Sequence, residues 1–188
     1  MKENDRDYDL ALIGRARAFA LGAHAAINQR RKYTGEPYAA HLTEVAGLVT
    51  RVQGVTAEMV AAAWLHDTAE DTAVPLSLIE TEFGTRVGQL VGELTAISTP
   101  EDGDRATRKA LDRTHTAQAS AAAQTIKAAD LISNLSTVEA RDPQFAAVYM
   151  REKQLLLEVL TKADERLRSD VRAIIEDYFT RQGSDERA

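Results

Sequence analysis

An all-α single domain is the fold class this sequence predicts, on three observations. Alanine and leucine are abundant, the 188 residues include only four prolines, and aromatics make up 5%. No segment shows the period-two alternation of a half-buried strand.

The elements follow in order. A first helix is expected over about Tyr8–Arg30, with Leu12, Ala16, Phe19 and Ala23 on one face. Arg31–Pro37, RKYTGEP, reads as a turn, and Pro37 suits the first position of a second helix to about Val52, ended by Gly54. Thr56 can cap a third helix whose apolar positions are Val60, Ala61, Trp64 and Leu65. Pro75 opens a short helix that stops at Phe83-Gly84, where Gly84 suits a left-handed cap. Another helix covers about Arg86–Ile97, and Thr99–Asp104 is the clearest loop. A basic stretch, Arg105–Arg113, then leads into an alanine-rich helix through about Glu139. Asp142-Pro143 reads as a cap and first residue, two helices finish the chain, and a frayed tail is expected over about 182–188. With no repeat or linker, one domain over 1–188 is the expected organisation.

Composition sets further bounds. Hydrophobic content of 44% and charged content of 28% describe an ordinary soluble globule. The absence of cysteine excludes disulfides and thiolate metal sites and fits a reducing, cytoplasmic setting. A net charge of −6 argues against nucleic acid as a partner. No apolar run approaches the roughly 20 residues of a membrane span, and MKENDRDYDL lacks the apolar core of a signal peptide. Oligomeric state is left open.

The chemistry concentrates in Ala61–Asp71, AAAWLHDTAED. His66-Asp67 ends the apolar run, and Glu70-Asp71 follows one turn later. A continuous helix would stack Glu70 near His66 and Asp71 near Asp67. The bland alternative makes His66 a helix C-cap and Asp67 a solvated carboxylate. Three features weigh against it. His41 shares a helix with Leu42, Val45, Leu48 and Val49, although a lone histidine there is ordinarily a hydrogen-bonded core residue. In Ile126–Leu135, IKAADLISNL, the polar stripe is Lys127, Asp130 and Asn134. A buried Asp130 needs a partner, either an ion pair with Lys127 or a metal. Glu70 and Asp71 stand at a helix C-terminus, where the macrodipole opposes them. Two histidines and two aspartates from three helices suit Mn²⁺, Fe²⁺, Mg²⁺ or Zn²⁺ and leave positions for water and substrate.

The order His41…His66-Asp67…Asp130 resembles the HD superfamily of metal-dependent phosphohydrolases. Arg31-Lys32 with Gly35-Glu36-Pro37-Tyr38 and His41, Leu65–Thr72 (LHDTAEDT), Phe83-Gly84, and Lys127–Asp130 with Asn134 are similar to the motifs of one branch, the hydrolase domain of RelA/SpoT homologues. The resemblance covers about Phe19–Arg141 and is to a stand-alone small alarmone hydrolase. It implies that His41, His66, Asp67 and Asp130 hold Mn²⁺, and that Glu70 and Asp71 position and activate water. It further implies that Asn134 contacts the nucleotide sugar or orders the site, and that Arg31 and Lys32 line the guanine or phosphate side. The implied reaction releases pyrophosphate and GDP or GTP from guanosine 3′-pyrophosphates. A substrate this anionic needs local cations, for which Arg30, Arg31, Lys32, Arg105, Arg108, Lys109 and Lys127 are the candidates; a solvated face explains Arg105–Arg113 equally well. Leu131 replaces the family's basic residue and Ser133 its aromatic or histidine, so an adenosine alarmone remains an alternative substrate. His24 and His115 match no family ligand and read as surface or packing histidines. A non-catalytic nucleotide sensor is the competing class.

Overall fold

The computed structural model describes residues 9–141 and 143–185, with side chains throughout these except at 136–144 and 183–185. Among the described residues the fold is all-α. The helices are α1 (Leu10–Ala26), α2 (Ala39–Val49), α3 (Ala57–Leu65), α4 (Thr68–Asp71), α5 (Leu76–Phe83), α6 (Thr85–Leu94), α7 (Arg105–Gln118), α8 (Ala121–Arg141), α9 (Pro143–Val159) and α10 (Glu165–Asp185). A 3₁₀ turn, Pro100–Asp102, lies between α6 and α7. The expected caps at Asp142 and the last residues, 186–188, lie outside the described residues.

The sequence dictates α3 and its place. Thr56 has extended backbone and its Oγ1 accepts from Met59 N at 3.3 Å, which satisfies a free N–H at the first turn. Ala57 and Val60–Leu65 are all buried, so this helix can only sit inside the bundle. It packs against α1, α2, α6 and α8. The small faces of Ala61, Ala62 and Ala63 let those neighbours approach, while Leu65, Leu42, Leu90, Ile126 and Leu131 fill the spaces. Each such side chain contributes about 1.5–3 kcal/mol of burial. The outer helix α10 packs on α8 and α9.

Two boundaries differ instructively from expectation. α2 begins at Ala39, not Pro37, because Pro37 is taken up by an isolated antiparallel bridge with Arg30. That bridge closes the loop 31–36, with Gly35 at φ +72, and holds Arg31 and Tyr38 at its two ends. The fully buried face of α1 is Leu12, Ala16, Ala20 and His24, a strict four-residue spacing; of the expected face, Leu12 and Ala16 belong to it, while Phe19 and Ala23 are half-buried beside it.

α5 and α6 form a tight hairpin around Gly84, which at φ +91 caps one helix and opens the next. A methyl group on Gly88 would lie 2.7 Å from Glu80 Cβ and 3.0 Å from Glu80 Cα. Gly88→Ala should therefore destabilise the protein by about 1–2 kcal/mol net, overpacking outweighing the gain in helix propensity. Thermal unfolding checks this, with a fall in Tm of about 3–6 °C expected; an unchanged Tm would refute the close approach.

Candidate metal centre

α3 ends where the chemistry begins. His66 and Asp67 form a turn, and a separate four-residue helix, α4, carries Glu70 and Asp71. Asp67 lies in the bridge region at φ −99, ψ −3. Its carboxylate does not cap α4; it is turned to the histidines, with Oδ2 at 2.9 Å from His66 Nε2 and 3.4 Å from His41 Nε2. The continuous helix expected from the sequence is thus interrupted, although Asp71 N still donates to Asp67 O at 2.9 Å.

His41 from α2 and Asp130 from α8 complete the cluster. One ligand atom each from His41, His66 and Asp130 lie within 4.8 Å of one another, and all three residues are buried. Asp130 Oδ1 stands 3.4 Å from His41 Nε2 and 3.8 Å from His66 Nε2. Its Oδ2 pairs with Lys127 Nζ at 2.9 Å, and Oδ1 also accepts from Asn134 Nδ2 at 2.6 Å. Asn134 therefore orders Asp130 directly. Lys127 and the imidazoles hold the Asp130 carboxyl well below the usual carboxylate range against the opposing effect of burial.

The imidazole tautomers test whether a cation fits. Ala63 O, 2.9 Å from His66 Nδ1, can only accept, so that nitrogen carries a proton. Ser133 Oγ gives its one proton to Glu44 Oε2 at 2.6 Å, so it accepts from His41 Nδ1 at 2.9 Å. As neutral rings, both histidines would point Nε2 lone pairs at each other across 3.2 Å. Two carboxylate oxygens face the same gap. Only a cation, a proton or a metal ion, makes this arrangement favourable, and N/O donors of this kind fit a divalent one. Without metal a proton serves. Burial would lower His66, but the carboxylates of Asp67 and Asp130 outweigh it and hold the group up at about 10.

Around this centre lies a shell that the motifs only partly disclosed. Tyr38 OH donates to Asp67 Oδ2 at 2.5 Å; burial and the nearby carboxylate push the phenol pKa up and keep it a donor. Arg31, whose side chain is 9% exposed, donates through Nη2 to Ser133 O at 2.6 Å and reaches Glu44 Oε2 at 3.4 Å. The Arg31 guanidinium thus braces the support behind His41. Leu131 and Ser133, the two departures from the family pattern, are both fully buried. Leu131 belongs to the core and Ser133 orients His41, so neither side chain is presented to the opening of the site.

A cleft adjoins the centre at Lys127, lined by Glu70, Lys109, Arg113, Lys127 and Lys153 among others. Glu70 Oε2 accepts from Ala96 N at 3.0 Å, on the chain leaving α6. Burial beside Lys127 brings Lys153 down to about 8. The structure sorts the cations named from the sequence. Arg30 donates to Gly35 O and Arg105 forms a two-bond pair with Glu152; Lys127 and Lys109, paired with Asp130 and Asp112, line the cleft. Arg108 is not among the residues lining it. Lys32 Nζ lies over the rings of Tyr33 and Phe145 at 5.0 and 5.3 Å. Arg113 and Lys153, which line the same cleft, were not singled out from the sequence, since a lone cation on a helix carries no local signal. Among the described residues, neither His24, 2% exposed, nor His115, which approaches Gly92 O at 3.3 Å, belongs to the candidate metal cluster.

Comparison with known proteins bears on the whole arrangement. An HD domain family model matches residues 16–165. The chain is 36% identical over 138 residues to a human guanosine-3′,5′-bis(diphosphate) 3′-pyrophosphohydrolase, MESH1, covering 72% of this chain and 74% of that one. It is 45% identical over 87 residues to a probable enzyme of the same description from Synechocystis, and 33% identical over 160 residues to a probable GTP pyrophosphokinase of Mycobacterium leprae. The chain spans only 11% and 19% of the lengths of these two. A solved structure of a metazoan SpoT orthologue that hydrolyses ppGpp superposes with a TM-score of 0.80 at 26% identity, covering 91% of this chain and 97% of that one.

Proposed function

This chain belongs to the HD domain family, and from that premise we propose that it is a metal-dependent guanosine-3′,5′-bis(diphosphate) 3′-pyrophosphohydrolase. The observation that carries the proposal is the convergence of His41 Nε2, His66 Nε2 and the Asp67 and Asp130 carboxylates on one gap that requires a cation. These four residues would hold the metal, which we take to be Mn²⁺, with Mg²⁺, Fe²⁺ or Zn²⁺ as substitutes. When bound, the metal supplies positive charge that acidifies a water and offsets phosphate charge.

The chain's own groups do the rest. Glu70, held by the Ala96 N–H, and Asp71 orient the attacking water and take its proton. The water oxygen bonds to the phosphorus next to O3′, the P–O3′ bond breaks, and the proton taken from the water is returned to O3′, which leaves as an alcohol. Pyrophosphate and GDP or GTP are the products. Lys127, Lys109, Arg113 and Lys153 line, together with Glu70, Asp112 and Glu152, the cleft in which the phosphates would lie, and would supply countercharge to a polyanion in a protein of net charge −6. Lys32, beside Tyr33 and Phe145, would line the guanine or phosphate side of the substrate. Asn134 acts through Asp130. The substrate is a small-molecule nucleotide, and no described helix is long and apolar enough to cross a membrane. A cytoplasmic location is part of the same proposal.

Turnover by the purified protein, with and without Mn²⁺, on guanosine and adenosine 3′-pyrophosphates tests the proposal. Metal-dependent release of pyrophosphate with GDP or GTP is the expected result. Faster turnover of the adenosine substrate would move the assignment to an adenosine alarmone. A folded, metal-loaded protein inert on both would end the enzyme reading in favour of a sensor.

A further inference from the structure

Behind Asp71 lies a side-chain relay, buried at His24 and opening to solvent at Asp71, with no part in metal ligation. His24, on the last turn of α1, is 2% exposed. Its Nδ1 lies 2.5 Å from Gln29 Oε1, and Gln29 Nε2 lies 2.7 Å from Asp71 Oδ2, across 42 residues of sequence. The direction of the chain is determined by chemistry. Asp71 as a carboxylate only accepts, so Gln29 must turn its NH₂ to it and its oxygen to His24. His24 therefore carries its proton on Nδ1. The opposite nitrogen, Nε2, is buried with no hydrogen-bond partner, so the histidine sits there for the one bond it donates and for its face.

That face is also engaged. The His24 ring stacks on Tyr38 at 4.8 Å and 25°, and Tyr38 donates to Asp67. One histidine thus links the amide that holds Asp71 to the phenol that holds Asp67. The backbone is shaped for this. Asn28, at φ +50, reverses the chain after α1, and Gln29 is pinned at both ends by its N–H to His24 O at 3.0 Å and its carbonyl to Tyr38 N at 3.1 Å. Asp71 itself is exposed and would otherwise sample several rotamers.

We infer that His24 and Gln29 are positioning residues that hold the Asp71 carboxylate in its working orientation beside the metal centre. The inference rests on the function proposed above for Asp71. Both residues act through Asp71 and neither touches substrate.

Three variants test the relay. Gln29→Met keeps the side-chain shape without hydrogen bonds, His24→Phe keeps the stack on Tyr38 without the donor, and His24→Asn restores an N–H at the place of Nδ1. Gln29→Met and His24→Phe should each lower kcat by about tenfold, misplacement of a reacting group being costly, with KM and Mn²⁺ affinity little changed. His24→Asn should recover most of the loss. Adding Gln29→Met to Asp71→Asn should cost nothing further, because the two act as one unit. A wild-type kcat in Gln29→Met, a loss confined to KM or metal affinity, or an additive double variant would overturn the inference. A second readout needs no turnover. In the Mg²⁺-loaded protein the Gln29 side-chain amide protons should exchange slowly with solvent, and lose that protection in His24→Phe and in Asp71→Ala. If the wild type hydrolyses no alarmone, the proposed function fails while this exchange still decides whether the relay exists; fast exchange in the wild type overturns the relay itself.

Discussion

Asp67→Asn is expected to abolish metal binding and turnover while leaving the fold intact. Asp67 Oδ2 is the carboxylate oxygen nearest the histidine pair, 2.9 Å from His66 Nε2 and 3.4 Å from His41 Nε2. Its pKa is held well below the usual range because the imidazoles of His66 and His41 outweigh the effect of burial. The amide has nearly the same shape but no charge, and the gap loses half of its anionic countercharge. Mn²⁺ affinity should fall by about 10²-fold or more, beyond what loss of an outer-shell partner costs. The fold should survive because Asp67 sits in a turn at the end of α3, outside the helix core, and its side chain is 17% exposed. Calorimetric titration with Mn²⁺ and circular dichroism check the two halves. A variant that binds Mn²⁺ as tightly as the wild type would remove Asp67 from the ligand set.

Glu70→Gln should keep the metal and lose the rate. Glu70 lies on α4, outside the cluster, and its contact is the Ala96 N–H at 3.0 Å. An amide oxygen can still accept that bond, so the loop leaving α6 and the mouth of the cleft should be unchanged. What disappears is the basic oxygen proposed to take the proton of the attacking water. A fall in kcat of about 10²–10⁴ is expected for loss of general-base assistance, with Mn²⁺ affinity and KM within a few-fold of wild type. Near-normal turnover would take Glu70 out of the mechanism and leave Asp71, with its relay, as the base. The two variants separate metal binding from water activation, which a single inactive variant cannot do.

The fit between sequence and structure is uneven in a way that has a physical cause. Helix caps are local: Thr56 bonds three residues ahead, and Gly84 needs only its own positive φ, so both are legible in one dimension. The burial of α3 follows from an apolar run that leaves no polar face. His41, His66, Asp67 and Asp130 could be picked out together because polar residues on buried helices demand a partner. The break between α3 and α4 escaped such reasoning. Propensity runs smoothly through LHDTAED, and the bend becomes visible only once the Asp67 carboxylate turns toward His41, which comes from another helix.

The all-α class and the capped helices were thus determined by the sequence alone, and the candidate metal ligands were named from it, because each depends on spacing along one helix or on the type of a single residue. The tertiary structure decided the pairings. Arg31 braces Ser133 across 102 residues, Ser133 orients His41 across 92, and Gln29 holds Asp71 across 42. Helical periodicity says which face of a helix turns inward, but a hydrogen bond between helices also depends on their separation, rotation and register. Those are set by how the small and large apolar residues of α1, α2, α3 and α8 interlock, and only the packed bundle contains that information.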